Sequence, residues 1–163
     1  EDQEQEPVWH MLEIENTTDA PFTTGPALVL KNGMPVSQDM MPYIMPGEDG
    51  RVRITRALDL VAESQEIELE RERNAASFYQ SSADLVTVEG TLSVRNLRGE
   101  AVEMEVTKDV EGELLESAPE AEVTWHAEGL RKVNPQGTLK WNFTLDAGAE
   151  KTITYKHTVY VRS

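Results

Sequence analysis

The sequence of 163 residues contains no cysteine. The absence of cysteine excludes disulfide bonds, thiolate zinc sites and a cysteine nucleophile. It also contains no serine-nucleophile motif of the G-x-S-x-G type and no glycine-rich loop that would hold a phosphate. No apolar run approaches the roughly 18 residues that a membrane-spanning helix needs. These absences exclude several common catalytic classes and transmembrane helices.

Histidine is scarce, with three residues: His10, His126 and His157. The closest two, His126 and His157, are separated by 31 positions, so no ligand-pair spacing for zinc exists. We therefore expect no metal site, no cofactor and no catalytic residue.

Positive charge is also scarce, since 30 acidic residues stand against 15 basic ones and the net charge is -15. A chain this acidic is repelled by nucleic-acid phosphates and by anionic membrane surfaces. We expect neither nucleic-acid binding nor membrane insertion.

The residues that are present alternate between apolar and polar side chains, which is typical of strands with one buried face. Residues 85–108 contain two such runs around the turn at residues 96–99, and this pattern predicts a hairpin. Residues 139–145 and 152–161 predict a second hairpin. Asn32-Gly33 is a strong signal for a third, tight hairpin.

Residues 65–73 (QEIELERER) have the charges of a helix but the alternation of a strand. Ile67 and Leu69 alternate with glutamates, and so short a segment would form only a marginal helix. We interpret it as a strand.

Together these patterns predict an all-β protein with little helix, arranged as two immunoglobulin-like antiparallel β-sandwich lobes or as one elongated β-sandwich. Residues 1–7 (EDQEQEP) carry four carboxylates and no apolar side chain, and we expect a disordered lead-in there. The first lobe is predicted to span residues 8–80 and the second residues 84–163.

Two short motifs recur along the chain. The motif LEIEN ends at Asn16 and LSVRN ends at Asn96, an offset of 80 residues. The motif PGEDGRVRI around Gly47 resembles AGAEKTITY around Gly148, an offset of 101 residues. A duplication would therefore have about 21 extra residues in its second half, in the acidic stretch 109–122 or in the loop after Trp125. The motifs alone leave open whether the two halves are a true duplication.

In their order and spacing, several segments resemble the C-terminal β-rich region of bacterial mucoidy-inhibitor-A-like proteins, known as domain of unknown function 4139. The segments are WHMLEIENTT, TTGPALVLKNGMPVSQ, MPGEDGRVRI, TLSVRNLRGEAVEMEV and LKWNFTLDAGAEKTITYKHTVYV. The resemblance departs from the family at DVEGELLESAPE, where a proline-containing segment is expected. The N-terminal domain and coiled coil of family members have no counterpart in this sequence.

The resemblance implies a β-sandwich module of a bacterial cell-envelope protein, periplasmic or secreted, and it brings no enzymatic activity. We expect an interaction or scaffolding role. The partner would be another protein or the N-terminal region that family members carry. Two alternatives stay open: a carbohydrate-binding module that uses an exposed aromatic and, less favoured, a metal-assisted hydrolase. The oligomeric state is not predictable from the sequence.

Two candidate contact sites follow from the pattern. Trp9 shares strand parity with Met11 and the glutamates, which predicts an exposed ring suitable for stacking on a sugar, whereas Trp141 alternates with core residues. Met41, Tyr43 and Ile44 lie in a methionine-rich segment broken by prolines, which predicts a sheet edge. These three side chains either close one end of the first lobe's core or form an apolar patch that contacts a partner.

Overall fold

The structure is a computed structural model that describes residues 4–78, 81–126 and 133–162. About 75% of the chain is strand, and the described residues contain no helix. The predicted all-β, sandwich-like class is therefore confirmed. The strands are β1 (Glu4–Glu6), β2 (Trp9–Glu15), β3 (Gly25–Lys31), β4 (Met34–Met41), β5 (Asp49–Arg56), β6 (Leu60–Phe78), β7 (Ser81–Asn96), β8 (Val102–Glu111), β9 (Glu113–Ala118), β10 (Glu122–His126), β11 (Gln136–Leu145) and β12 (Glu150–Arg162).

The chain divides into two compact units. The N-terminal unit is Pro7–Leu58, and the C-terminal unit combines Glu1–Glu6 with Asp59–Ser163. This boundary differs from the predicted one between residues 80 and 84, because β6 pairs along its length with β7 and so belongs to the C-terminal unit. The predicted strand at residues 65–73 is confirmed as part of β6.

The expectation of a disordered lead-in is wrong for Glu4–Glu6, which form β1 and pair with β6. The Oγ of Ser64 donates a 2.8 Å hydrogen bond to Glu6 Oε1. A strand can form here without apolar side chains because its ladder uses main-chain groups. Residues 1–3 of the predicted lead-in lie outside the described residues.

The C-terminal unit is built from two sheets with strand orders β1-β6-β7-β12-β9 and β10-β11-β8. Its core contains Leu92, Val110, Leu139, Trp141, Ile153 and Tyr155. These side chains come from β7 and β12 on one sheet and from β8 and β11 on the other, so both sheets bury a face in one core. The prediction that Trp141 is a core residue is confirmed, since its side chain is 3% exposed.

Two of the predicted hairpins are wrong in their pairing. β7 pairs with β6 and β12, whereas β8 pairs with β11. The turns after β7 and after β11 therefore carry the chain from one sheet to the other. Alternation shows that a strand has one buried face, but it does not say which strand lies beside it. The tight hairpin is confirmed: β3 pairs with β4, and Asn32 and Gly33 have φ values of 53° and 79°.

The N-terminal unit contains two two-stranded sheets, β2-β5 and β3-β4. Its buried apolar side chains are Ile44, Val52 and Ala57. A Cβ added at Gly50 would lie 2.2 Å from Ile44 Cδ1, so a larger residue where β5 crosses this small core would force the buried Ile44 side chain to move.

The same four-stranded arrangement occurs in both units, with β2, β3, β4 and β5 corresponding to β7, β8, β11 and β12. The register of facing residues is largely the same in both units. If 80 is added to the number of the first residue of a facing pair in the N-terminal unit and 101 to the number of the second, the result is in most cases a facing pair in the C-terminal unit. The matching pairs are Phe22↔Ile44 with Val102↔Leu145, Gly25↔Met41 with Glu105↔Asn142, and Ile14↔Gly50 with Val94↔Lys151. The sequence echo thus marks a structural repeat. The described part of the extra segment in the second copy contains β9 and β10, and it stands where the first copy has the Asn32-Gly33 turn.

Each repeat has a buried asparagine at the same corner. Asn16 and Asn96 are both 0% exposed. The side-chain Nδ2 of Asn16 donates to the carbonyls of Ala20 and Ile44, at 2.9 and 3.0 Å. The Nδ2 of Asn96 lies near three carbonyl oxygens, those of Glu100 at 2.8 Å, Leu145 at 3.1 Å and Asp146 at 3.0 Å. In each repeat the amide ties the turn after one strand to a distant part of the chain, which is Ile44 in the first copy and the end of β11 in the second.

Candidate interaction surface

Exposed apolar side chains concentrate in the N-terminal unit. Of 17 exposed large hydrophobic residues in the described part of the chain, 11 lie between residues 7 and 58. Met34, Met40, Tyr43 and Met45 are each at least 50% exposed. We use the name apolar surface for the 11 exposed side chains of this unit, which are Trp9, Met11, Leu12, Leu28, Leu30, Met34, Val36, Met40, Tyr43, Met45 and Leu58. A concentration of this kind is typical of a contact surface.

Two alternatives were open for Met41, Tyr43 and Ile44, a core position or an exposed patch, and neither holds for all three. Tyr43 is 54% exposed and Met41 is partly buried, but Ile44 is 1% exposed. Ile44 cannot reach a partner because its main chain pairs with Phe22 and its side chain packs against Gly50. Sequence reasoning missed Met40 and Met45 as exposed residues.

The sheets of the N-terminal unit have fewer strands than their equivalents in the C-terminal unit. β7 is flanked by β6 and β12, but among the described residues the equivalent β2 pairs with β5 alone. β11 is flanked by β10 and β8, whereas β4 pairs only with β3 over the same described part. The prolines correctly predicted that β4 lies at an edge. Edges of this kind are sites where another strand can pair.

The outer edge of β5 is protected by side chains of β4. The main-chain N–H of Arg53 donates to Asp39 Oδ2 at 3.1 Å, and Ser37 Oγ donates to the carbonyl of Arg53 at 3.3 Å. No comparable side-chain bonds to the outer edge of β2 occur in the described residues. The edge of β2 is therefore the more accessible of the two.

Trp9 stands beside two arginines on β2 and β5. Trp9 is 39% exposed as a residue, which confirms the predicted exposure. The guanidinium carbons of Arg53 and Arg56 lie over the ring, 5.0 and 5.6 Å from its centroid. Within the described residues, neither arginine has an ion pair with a carboxylate. We call Trp9, Arg53 and Arg56 the Trp–Arg cluster. Sugar stacking on Trp9 stays a prediction.

A second group of interacting polar side chains lies in the C-terminal unit. The hydroxyl of buried Tyr155 donates to Glu66 Oε1 at 2.5 Å, and Lys108 Nζ lies 3.2 Å from the same oxygen. Burial acts to raise the pKa of Glu66, but the hydrogen bond from Tyr155 and the charge of Lys108 together lower it below its ordinary value. Burial, reinforced by the Glu66 carboxylate, raises the pKa of Tyr155.

The contacts of Tyr155 indicate a structural role for this group. A Cβ added at Gly90 would lie 2.0 Å from Tyr155 Cζ, so the ring fills the space above that glycine. The ring centroid of Tyr155 also lies 6.2 Å from those of Trp141 and His157. Glu66 and Tyr155 belong to one sheet and Lys108 to the other, so the group ties the two sheets together.

We expect Glu66→Gln to change how stability depends on pH. Because the pKa of Glu66 is lower in the folded state, its ionised form stabilises the fold at pH values above its ordinary pKa of 4.5, and this contribution is lost as the pH falls through the folded-state pKa. The difference in free energy of unfolding between the wild type and Glu66→Gln should therefore be constant near neutral pH and shrink below pH 4.5. Urea unfolding across the acidic range measures this difference. A difference that does not change with pH would contradict the assignment.

The histidines do not converge on a site. His10 and His126 are exposed, and His157 is buried with its Nδ1 2.8 Å from the carbonyl of Glu111. In the described ranges, no group of three or more histidine, aspartate or glutamate side chains is placed to hold a metal ion. No helix long and apolar enough to cross a membrane occurs in the same ranges.

The fold and the surface define a class: an all-β, sandwich-like protein with a repeated four-stranded unit, one copy of which exposes apolar side chains and open edges. Comparison with known proteins does not narrow this class, since no family model, curated protein or solved structure matches the chain.

Proposed function

We propose that the chain is a non-catalytic β-sandwich module that binds another protein through its N-terminal unit, as an interaction or scaffolding part of a bacterial cell-envelope protein. The apolar surface supports the proposal most directly. It concentrates 11 of 17 exposed large hydrophobic residues in the smaller unit. Exposed apolar surface of this density is costly in water unless a partner covers it.

The distribution of charge also supports a protein contact at the N-terminal unit. Residues 7–58 contain six acidic and four basic residues, a net charge of -2, whereas the rest of the chain contains 24 acidic and 11 basic residues, a net charge of -13. Protein interfaces are depleted of charged side chains at their centres and enriched in aromatic residues, methionine and arginine. The N-terminal unit shares two of these features, since it has few charged residues and contains five of the six methionines.

The bacterial-envelope part of the proposal is supported by the resemblance to the mucoidy-inhibitor-A-like region. The internal repeat agrees with this resemblance, because the motifs that carry the resemblance lie at equivalent corners of the two units. Asn16 and Gly47 lie at one corner of the N-terminal unit, where the N–H of Gly47 donates to the carbonyl of Asn16, and Asn96 and Gly148 lie at the equivalent corner of the C-terminal unit. Gly47 and Gly148 both have positive φ.

Carbohydrate binding is the second candidate function, and the exposure of Trp9 favours it. Stacking on a neutral sugar needs an open ring face. In this protein the guanidinium groups of Arg53 and Arg56 lie over the ring and compete for that space. A protein partner is the stronger proposal for this reason.

Site-specific photo-crosslinking tests the proposed function. A benzophenone amino acid placed at Tyr43 or at Met40 in bacterial cells should give the same discrete adduct with one partner protein, because both side chains belong to the apolar surface. The matched control is Leu115, which is 52% exposed but lies on β9 of the C-terminal unit. The adduct should also disappear when Met34 is changed to glutamate. Absence of a discrete adduct, or identical adducts from position 115, would refute the proposal.

A further inference from the structure

We infer that the partner binds by strand addition: an extended, acidic segment pairs with the open edge of β2, and its carboxylates contact Arg53 and Arg56. This inference rests on the proposed function and specifies the chemistry of the partner. Three features carry it, namely the internal repeat, the unpaired arginines and the exposed side chains on β2.

The repeat shows which edge is incomplete. In the C-terminal unit, β6 covers the edge of β7, with Ile67 opposite Glu89 and Ala62 opposite Val94. Subtracting 80 from the β7 residues gives Trp9 and Ile14, the two ends of the accessible edge of β2. In the described part of the chain no strand occupies the equivalent of β6 beside β2. Main-chain groups along such an edge are a template for an incoming strand.

The chain itself shows that an acidic segment can serve as the covering strand. Over Glu66–Glu70 (EIELE), β6 alternates glutamate with isoleucine and leucine and still pairs with β7. The strand that covers the outer edge of β6 is acidic as well, since it is Glu4–Glu6. Segments rich in glutamate are therefore compatible with the main-chain pairing that this fold uses.

The Trp–Arg cluster selects an acidic partner. Arg53 and Arg56 are on β5, but their guanidinium groups lie over Trp9, which is on β2. The two side chains therefore reach the Trp9 ring on β2, the strand beside which a new strand would lie at about 4.8 Å. In a chain with twice as many acidic as basic residues, these two arginines have no carboxylate partner within the described ranges. Their planar donors match a carboxylate.

The exposed side chains of β2 offer apolar contacts on both faces of the added strand. Met11 and Leu12 are each 42% exposed and, as neighbours in a strand, point to opposite faces. A partner that alternates acidic with apolar residues would pack its apolar side chains on one face and direct its carboxylates to the Trp–Arg cluster on the other.

Fluorescence anisotropy with the whole chain and two labelled peptides tests the inference. The probe is the peptide EVETEVET, and its charge-reversed control is KVKTKVKT. We expect the glutamate peptide to bind and the lysine peptide to bind at least about tenfold more weakly, since a charge-assisted hydrogen bond contributes roughly a factor of ten. Arg53→Ala and Arg56→Ala should each weaken the glutamate peptide about tenfold. Arg73→Ala in the C-terminal unit is the matched control and should have no effect.

Hydrogen exchange of the β2 amides distinguishes strand addition from simple charge attraction. On binding of EVETEVET, alternate amides of Trp9–Glu15 should exchange more slowly. Peptide binding without this protection would overturn strand addition. Tighter binding of oligoglucuronate, or binding of a neutral glucan that is lost in Trp9→Ala, would overturn the inference in favour of a sugar ligand. If the glutamate peptide does not bind but the crosslinked adduct at position 43 still forms, the inference is overturned and the proposed function stands. If neither peptide binding nor the adduct is observed, the proposed function is refuted as well.

Discussion

Replacing Asn96 by alanine is expected to lower the free energy of unfolding by about 4 kcal/mol, since a buried polar group that loses its hydrogen-bond partner costs roughly 1–3 kcal/mol. The Nδ2 of Asn96 lies within 3.1 Å of the carbonyls of Glu100, Leu145 and Asp146. Its Oδ1 also accepts a hydrogen bond from the N–H of Arg98 at 2.9 Å. Alanine removes all of these bonds at a position that is itself 0% exposed.

Thermal and urea unfolding measure this loss, which corresponds to a fall in melting temperature of about 10 °C for a chain of this size. Asn142→Ala is the matched control, because Asn142 is exposed on β11, and it should change stability by no more than about 0.5 kcal/mol. Asn96→Asp keeps the size of the side chain but replaces the donor by an acceptor, so it should be at least as costly as alanine. If aspartate were tolerated, donation to the carbonyls would not be the stabilising interaction.

The sequence motifs around Asn16 and Asn96 raised the hypothesis of a repeat and left it open, and the structure supplies a physical reason for the echo in the bonds of the corner asparagine. Its amide must bond carbonyls of the turn and of a distant strand at once, so both copies keep it. The pairing of strands was harder to predict. The turn at residues 96–99 joins two alternating runs, as a hairpin would, but the bonds of Asn96 direct the chain into the other sheet.

The candidate surface was predictable only in part for a similar reason. The parity of β2 predicted that Trp9 is exposed. The positions of Arg53 and Arg56 depend on the register of β2 with β5, which shifts between His10 and Met11 and has no signal in the sequence. The sequence left open whether Ile44 lies in the core or in a patch, because prolines interrupt any periodicity around it, and its bridge to Phe22 places it in the core.

Gly112 occupies the point where the second repeat departs from the first. Its equivalent, 80 residues earlier, is Asn32, which begins the tight turn from β3 to β4. Both residues have positive φ, 53° for Asn32 and 94° for Gly112. At Gly112 the chain does not reverse into the next strand of the repeat but enters β9, which pairs with β12. The residue with positive φ therefore begins a hairpin turn in the first copy, at Asn32, and begins the inserted segment in the second copy, at Gly112.

Gly112→Ala is expected to lower the free energy of unfolding by about 4 kcal/mol or more, within the range of the most damaging single substitutions. A Cβ at this position would lie 1.8 Å from the carbonyl oxygen of Thr158 and 2.8 Å from its carbonyl carbon. These are main-chain atoms of a central strand, so they cannot rotate away as a side chain would. The N–H of Gly112 also donates to the carbonyl of Pro135 at 2.8 Å, so a shift of this backbone would break a second contact.

Gly33→Ala separates the steric clash from the cost of the left-handed conformation. Gly33 has a φ of +79°, but a Cβ there would have nothing within 4 Å, so only the conformational cost of about 1–2 kcal/mol applies. Urea unfolding of the two variants, compared with the wild type, gives the difference directly. We expect Gly112→Ala to be the more destabilising by at least about 2 kcal/mol, because the close approach to Thr158 adds to the same conformational term. Equal losses for the two variants would show that β12 moves aside without cost and that the insertion is not fixed by this contact.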